Sequence, residues 1–157
     1  MIVVVMGVAG SGKTTVGKLL AQQLGWSFYD ADDFHSPANV EKMSRGIPLT
    51  DADRESWLTT LRQLIEKLQR ENQSALIACS ALKQAYRRRL GDVRLIYLKA
   101  NAELLRQRLT ERKGHFFSPQ LLANQLETLE EPTDAITLEA KEEPESLAGQ
   151  IRRALSV

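Results

Sequence analysis

The sequence predicts an α/β fold of three layers, with a five-stranded parallel sheet covered by helices on both faces. Two observations carry that expectation. Apolar runs rich in Val, Ile and Leu alternate along the chain with segments of helical period. The first of those runs passes through a glycine-rich turn directly into a helical segment. A length of 157 residues suits one compact domain, residues 1–157, and leaves little room for a second. With 43% hydrophobic residues, 26% charged residues and a formal net charge of +1, the composition shows no global pull toward nucleic acid or membrane, so neither is expected as a partner.

In chain order, Ile2 to Met6 is an unbroken apolar run that reads as a strand buried on both faces. Further strands are expected at 27–30, 75–79, 93–98 and 135–139. The longest helical signal runs from Asp51 to about Asn72, with Trp57, Leu58, Leu61, Leu64, Ile65 and Leu68 along one stripe. Thr50 precedes it as N-cap, with Asp53 three residues on. Asn101 similarly precedes a helix carrying Leu104, Leu105 and Leu109, and Pro144 suits the first turn of a last helix carrying Leu147, Ile151 and Leu155. The acidic stretch from Glu139 to Glu145 reads as a solvated connection. The single cysteine, Cys79, lies in an apolar stretch and is expected to be a buried thiol, not a nucleophile. No apolar run approaches the length of a membrane span and Met1 opens directly into a strand, which together suggest a cytoplasmic protein.

The turn after the first strand reads Gly7, Val8, Ala9, Gly10, Ser11, Gly12, Lys13, Thr14, a complete phosphate-binding loop between a strand and a helix. Its glycines let the backbone turn its N–H groups inward, and the following helix aims the positive end of its dipole at the same point. Lys13 is expected to reach the β- and γ-phosphates of a nucleotide, and the Thr14 hydroxyl to ligate Mg²⁺. Many ATPases place the second Mg²⁺ ligand, an aspartate, at the end of a central strand. Here that strand runs into Cys79, Ser80, Ala81, Leu82 and Lys83, with no acid. Attention moves to the second strand, which ends Asp30-Ala31-Asp32-Asp33-Phe34-His35. Alternation along an extended chain would put Asp30 and Asp32 on one side, at the strand ends that open onto the ligand crevice. Asp30 could then hold Mg²⁺ through water while Asp32 orients or deprotonates an attacking hydroxyl.

Transfer of a phosphoryl group develops charge that needs cations and exclusion of water, often from a mobile cover. Arg108 and Arg112 stand four residues apart, hence on one helical face, and Gly114 follows as a possible hinge. A lid over approximately 112–125 is expected. Arg87, Arg88 and Arg89 are consecutive, point in different directions on a helix, and read as mostly surface.

Several further segments accompany these: Asn39-Val40-Glu41-Lys42-Met43 with Gly46-Ile47-Pro48-Leu49, Asp51-Ala52-Asp53-Arg54 with Trp57-Leu58, Cys79-Ser80-Ala81-Leu82-Lys83, and Arg112-Lys113-Gly114-His115-Phe116-Phe117. Together with the loop from Gly7 to Thr14 and the segment from Asp30 to His35, they closely resemble the small bacterial gluconokinases over nearly the whole chain. The resemblance implies a P-loop kinase fold like that of nucleoside monophosphate kinases, ATP-dependent phosphorylation of the 6-hydroxyl of D-gluconate, and a homodimer.

A sugar acid offers one carboxylate and a row of hydroxyls, which call for charged and hydrogen-bonding partners. His35, Lys42, Arg45, Arg54, Lys83 and His115 are the candidates. Arg54 is preferred, because a cation in the first turn of a helix opposes the dipole and is unlikely to be there for stability alone. The expected mechanism is in-line attack on the γ-phosphate of MgATP, with Lys13, Mg²⁺, Arg108 and Arg112 stabilising the transferring charge and Asp32 handling the acceptor. A shikimate kinase relative, a nucleoside monophosphate kinase and a nucleotide-dependent switch or binding module are the competing readings.

Overall fold

A computed structural model describes residues 1–111 and 119–157 of the chain. Five strands, β1 (Ile2–Met6), β2 (Ser27–Asp30), β3 (Ala75–Ala78), β4 (Arg94–Lys99) and β5 (Ile136–Glu139), form one all-parallel sheet in the order β2-β3-β1-β4-β5. The helices of the described residues are α1 (Lys13–Leu24), α2 (Pro37–Ser44), α3 (Asp51–Arg70), α4 (Gln84–Leu90), α5 (Ala102–Glu111), α6 (Pro119–Thr128) and α7 (Pro144–Leu155). All five expected strands are present, each within one residue of its expected ends.

Why β1 is apolar throughout follows from its two faces. Ile2, Val4 and Met6 pack with Trp57, Leu58, Leu61 and Ile65 of α3, and with Tyr86 and Leu90 of α4. Val3 and Val5 face the other way, onto Val16 and Leu20 of α1 and Leu147, Ile151 and Leu155 of α7. A strand between two helical layers has no solvent side and therefore no polar alternation. A third, smaller cluster joins Val8 to Leu82, Leu105 and Leu122, seating α5 and α6 over the phosphate-binding loop.

The start of α3 is fixed by a reciprocal cap. Thr50 Oγ1 accepts from Asp53 N at 3.1 Å, and Asp53 Oδ2 accepts from Thr50 N at 2.9 Å. At the start of α5, Asn101 Oδ1 accepts from Leu104 N at 2.8 Å. The helix α6 was not expected from sequence.

The register sets the height of the functional loops. Val5 and Asp30 both pair with Ala78, so β1, β2 and β3 end level. The segments that follow them, beginning at Gly7, Ala31 and Cys79, therefore leave the sheet side by side at its carboxyl edge.

The arginine run departs from expectation. Arg87 is buried, and its guanidinium donates to Ala81 O at 2.7 Å, Leu82 O at 3.0 Å and Glu130 O at 2.8 Å. Only Arg88 is exposed, while Arg89 pairs with Glu55 at 2.8 Å. Consecutive residues do point in different directions on a helix, but one of them points inward and donates to carbonyls of two irregular segments, of which Leu82 O also accepts from Glu130 N at 2.8 Å. Arg87→Ala should lower the free energy of unfolding by about 2–4 kcal/mol, because Ala81 O and Glu130 O lose their charged donor. A loss in urea denaturation below about 0.5 kcal/mol would mean that water satisfies them equally well.

Candidate active site

In the loop from Gly7 to Thr14, Ala9 N donates to Gln125 Oε1 at 2.9 Å and Ser11 N to Val8 O at 3.2 Å, while the N–H groups at the start of α1 stay uncapped by side chains. Gly12 is the N-cap of α1 with φ 95°, and no side chain caps the first-turn N–H groups. The first turn carries no acid, so nothing there repels an anion. At Gly7, with φ 155°, a Cβ would lie 2.6 Å from Ser11 Oγ and 3.0 Å from Leu98 O, too close for any larger residue. A loop that turns its N–H groups inward turns carbonyls outward, and Arg108 satisfies two of them. Its Nη1 donates to Gly10 O and Ser11 O, each at 3.2 Å, and its Nη2 donates to Ala140 O at 2.6 Å. Arg108 thus braces the loop against the connection that follows β5. It also lines a cavity of about 310 Å³ with Gly12, Thr15, Ala140, Glu142 and Pro144.

A second cavity, of about 400 Å³, contains Lys13, Thr14, Asp30 and Asp32. The two aspartates share it for a different reason from the expected alternation. The chain leaves β2 and turns at once into a 3₁₀ turn, Ala31–Phe34, in which Asp30 Oδ1 accepts from Asp32 N at 3.0 Å. The turn, not a continuing strand, brings Asp32 back beside Asp30. Thr14 Oγ1 donates to Asp30 Oδ2 at 3.3 Å, so a hydroxyl and a carboxylate already adjoin. Such hard oxygen donors suit Mg²⁺, which takes few protein ligands and completes its shell with water and phosphate oxygens. The Asp32 side chain is exposed at the rim of this cavity, with protein crowding it from one side. Desolvation raises its pKa above the ordinary carboxylate value, with Lys13 opposing and Asp30 and Asp33 adding to the rise.

A third, smaller cavity of about 40 Å³ adjoins the second and is lined by Asp32, His35, Met43, Arg54, Trp57, Ser80, Asn124 and Gln125, among others. Four residues, Asp32, Met43, Ser80 and Gln125, line both, so they mark the seam between the phosphate side and an acceptor side. Trp57 builds the floor. Its Nε1 donates to Ala31 O at 2.7 Å, tying α3 to the turn that carries Asp32, and its ring stacks on His35 at 4.4 Å and 13°.

His35 is neutral at physiological pH. Burial, followed by the charge of Arg54, lowers its pKa to about 4. Its tautomer follows from its neighbour. Asn39 Nδ2 donates to Asp53 O at 2.8 Å, which fixes the amide's orientation and directs its other hydrogen at His35 Nδ1, 3.3 Å away. The ring proton is therefore on Nε2, 4.0 Å from Asp32 Oδ1. A neutral N–H donor suits a hydroxyl better than it suits a carboxylate. Arg54 is the cation of this cavity, held by Leu49 O at 2.9 Å and Tyr86 OH at 3.1 Å, with its guanidinium 5.3 Å from the Tyr86 ring centre. Tyr86 in turn donates to Asp51.

The other expected cations lie elsewhere. Lys42 pairs with Asp53 at 2.9 Å and Lys83 with Asp51 at 3.0 Å, while Arg45 is exposed and 3.9 Å from Glu41. None of the three lines either cavity. Arg112, His115 and the first part of the expected lid lie outside the described residues. The rest of that stretch, 119–125, forms the beginning of α6, with Leu121 and Leu122 buried. Cys79 is buried and its thiol is pushed up to about 12 by desolvation, so it stays protonated. Sequence reasoning missed Asn124 and Gln125 as wall residues. The spacing of Leu121, Leu122 and Leu126 is the signal that could have placed them on a helix.

Residues 9–156 match the family model described as shikimate kinase. The chain is 45% identical over 152 residues to a probable gluconokinase of Xenopus tropicalis, covering 85% of this chain and 80% of that one. Among solved structures, it is similar to a sugar kinase from Janibacter, with a TM-score of 0.93 and 42% identity over 99% of this chain and 94% of that one. A gluconokinase from Sinorhizobium meliloti has a TM-score of 0.82 and 35% identity, over 98% and 94% of the two chains.

Because the folded pKa of His35 lies below the unfolded value, the unfolded chain takes up the additional proton as pH falls from 6.5 toward about 4. The stability contributed by a neutral His35 is thus complete above that window and lost through it. On moving from neutral pH to about pH 5, urea denaturation of the wild type should lose about 1–2 kcal/mol more than that of His35→Gln. Equal losses would show that the imidazole titrates normally in the fold.

Proposed function

The chain belongs to the gluconokinases, within the shikimate kinase family, and from that premise we propose how it transfers the γ-phosphoryl group of ATP to the 6-hydroxyl of D-gluconate. The observation that carries the reading is the seam at Asp32, where a phosphate-binding loop with N–H donors uncapped by side chains meets a cavity holding one cation and a neutral histidine.

The triphosphate lies along the loop from Gly7 to Thr14, with Lys13 at the β- and γ-phosphates and the adenine end in the cavity between Arg108 and Pro144. Thr14 and Asp30 would hold Mg²⁺, which would neutralise charge on the β- and γ-phosphates. Gluconate directs its carboxylate to Arg54 and hydroxyls to His35 Nε2, leaving the 6-hydroxyl at Asp32. Asp32 orients that hydroxyl and takes its proton as the oxygen attacks phosphorus in line with the departing ADP. Its raised pKa brings its basicity closer to that task than an ordinary carboxylate's would be. Arg108 acts from behind the loop, holding the carbonyls so that the N–H groups stay aimed at phosphate. Lys42, Lys83 and Arg45 take a lesser part, since the first two already have carboxylate partners.

The cavity at His35 and Arg54 adjoins the larger phosphate cavity, so the acceptor extends across the seam between them, and Leu121, Asn124 and Gln125 of α6, in the expected lid, form one wall. We include Arg112 and His115 in that cover, over approximately 112–125. A homodimer in the cytoplasm completes the proposal. Among the described residues no helix is long and apolar enough to cross a membrane.

A second acceptor, shikimate, is favoured by the description of the matching family model. Purified protein with MgATP should release ADP with D-gluconate and not with shikimate, AMP or no acceptor; release with shikimate alone would keep the phosphate site and reject the acceptor. Lys13→Ala and Asp32→Asn should each lower kcat about 100-fold or more with little change in thermal midpoint, and Asp32→Asn should keep ATP binding. For the wild type, kcat/KM should fall on the acid side with an apparent pKa above the ordinary carboxylate value of 3.8. Undiminished turnover in either variant would remove the role given to that residue.

A further inference from the structure

The Gln125 side chain enters the seam from α6, and one of its ends is already committed. Its Oε1 accepts the backbone N–H of Ala9 at 2.9 Å. A backbone N–H can only donate, so the amide cannot be turned around, and Nε2 with its two hydrogens must lie on the opposite side of the carboxamide. Among the described residues no acceptor meets Nε2. Gln125 is half-buried, lines both the phosphate cavity and the acceptor cavity, and shares that position with Asp32. Two buried leucines, Leu121 and Leu122, anchor its helix, and Leu122 packs in the cluster that also contains Val8 of the loop. The carboxamide is thus carried on a helix packed against the core, pinned to the phosphate-binding loop and left with unused donors where acceptor and phosphate meet.

Resting on the reading of the chain as a gluconokinase, we propose that Gln125 is a substrate-contacting residue that selects and positions the reacting hydroxyl: Oε1 is anchored by Ala9 N–H, and Nε2 donates to the oxygen of the 6-hydroxyl. Asp32 takes the hydrogen of that hydroxyl, and Gln125 donates to one of its lone pairs, so the remaining lone pair points at phosphorus. Two partners of opposite hydrogen-bonding sense define the oxygen's orientation where a carboxylate alone would leave it free to rotate. No covalent step is added to the reaction. The arrangement also ties acceptor position to loop geometry, because the group that orients the hydroxyl is bonded to the loop that holds the phosphate.

The test compares D-gluconate with 6-deoxy-D-gluconate, binding each by calorimetry in the presence of a non-transferable ATP analogue. Gln125→Met removes acceptor and donors, while Gln125→Glu keeps an oxygen for Ala9 N–H, replaces the donors with an acceptor and adds a negative charge that both ligands meet alike. Each variant should weaken gluconate about five- to tenfold more than it weakens 6-deoxygluconate. Both should also lower kcat at least about tenfold. Equal weakening of the two ligands would overturn the proposal, since a purely structural change does not distinguish them. So would a Gln125→Glu variant that binds gluconate and turns over like wild type, because the bond to Ala9 would then be the whole role. If wild-type protein neither binds nor phosphorylates gluconate, the gluconokinase reading itself fails and the proposal falls with it.

Discussion

Ala78 pairs with Val5 on one side and Asp30 on the other, and on that register the chemistry depends. It brings three strands to a common edge, so that the phosphate-binding loop, a turn of aspartates and the segment containing Ser80 begin at one height. A shift of one residue along any of these strands would displace its loop by about 3.3 Å and reverse the faces of its side chains. The apolar identity of β1 on both faces is what forbids that shift, since Val3 and Val5 would exchange layers with Val4 and Met6. Core packing and site geometry are the same constraint seen at two ends of the sheet.

The charges of the site are sorted by partner. Several cations near the cleft are already engaged: Lys42 and Lys83 with carboxylates, Arg87 and Arg108 with backbone carbonyls. Lys13 lines the phosphate side and Arg54 the acceptor side. Asp32 stands between them with its pKa raised, and His35 beside it is kept neutral by burial and by Arg54. A substrate with an anion at one end and a hydroxyl at the other fits that order. The engaged arginines have a structural logic of their own, because a guanidinium offers five donors in a plane and can satisfy carbonyls from two segments at once. Arg87 fastens the chain around Ala81 and Leu82 to Glu130, just beyond α6, and so holds two walls of the acceptor cavity together.

Much of this was legible in the sequence where a local rule operates. The strands β1 and β3 announced themselves by uninterrupted apolar runs, α3 by its stripe and cap, and the phosphate-binding loop by glycines whose need is local and steric. Asp30 and Asp32 were found together for the wrong geometric reason, because an extended chain and a 3₁₀ turn both bring alternate residues near one another. Arg87 and Gln125 were illegible for a shared cause. Each binds a backbone group distant in sequence, 43 and 116 residues away, and the two nearer carbonyls of Arg87, at Ala81 and Leu82, belong to an irregular segment whose path no local rule gives. The pairing of Lys42 and Lys83 with Asp53 and Asp51 was hidden likewise, since a cation's partner is a matter of tertiary placement.

The central claim is that the acceptor spans the seam, with its anion at Arg54 and its reacting hydroxyl at Asp32. A crystal structure with D-gluconate and a non-transferable ATP analogue tests it most directly. The account predicts the 6-hydroxyl within about 3 Å of the Asp32 carboxylate, facing the γ-phosphate, and the gluconate carboxylate on the Arg54 guanidinium. Gluconate bound in the reverse direction, or away from Asp32, would contradict it.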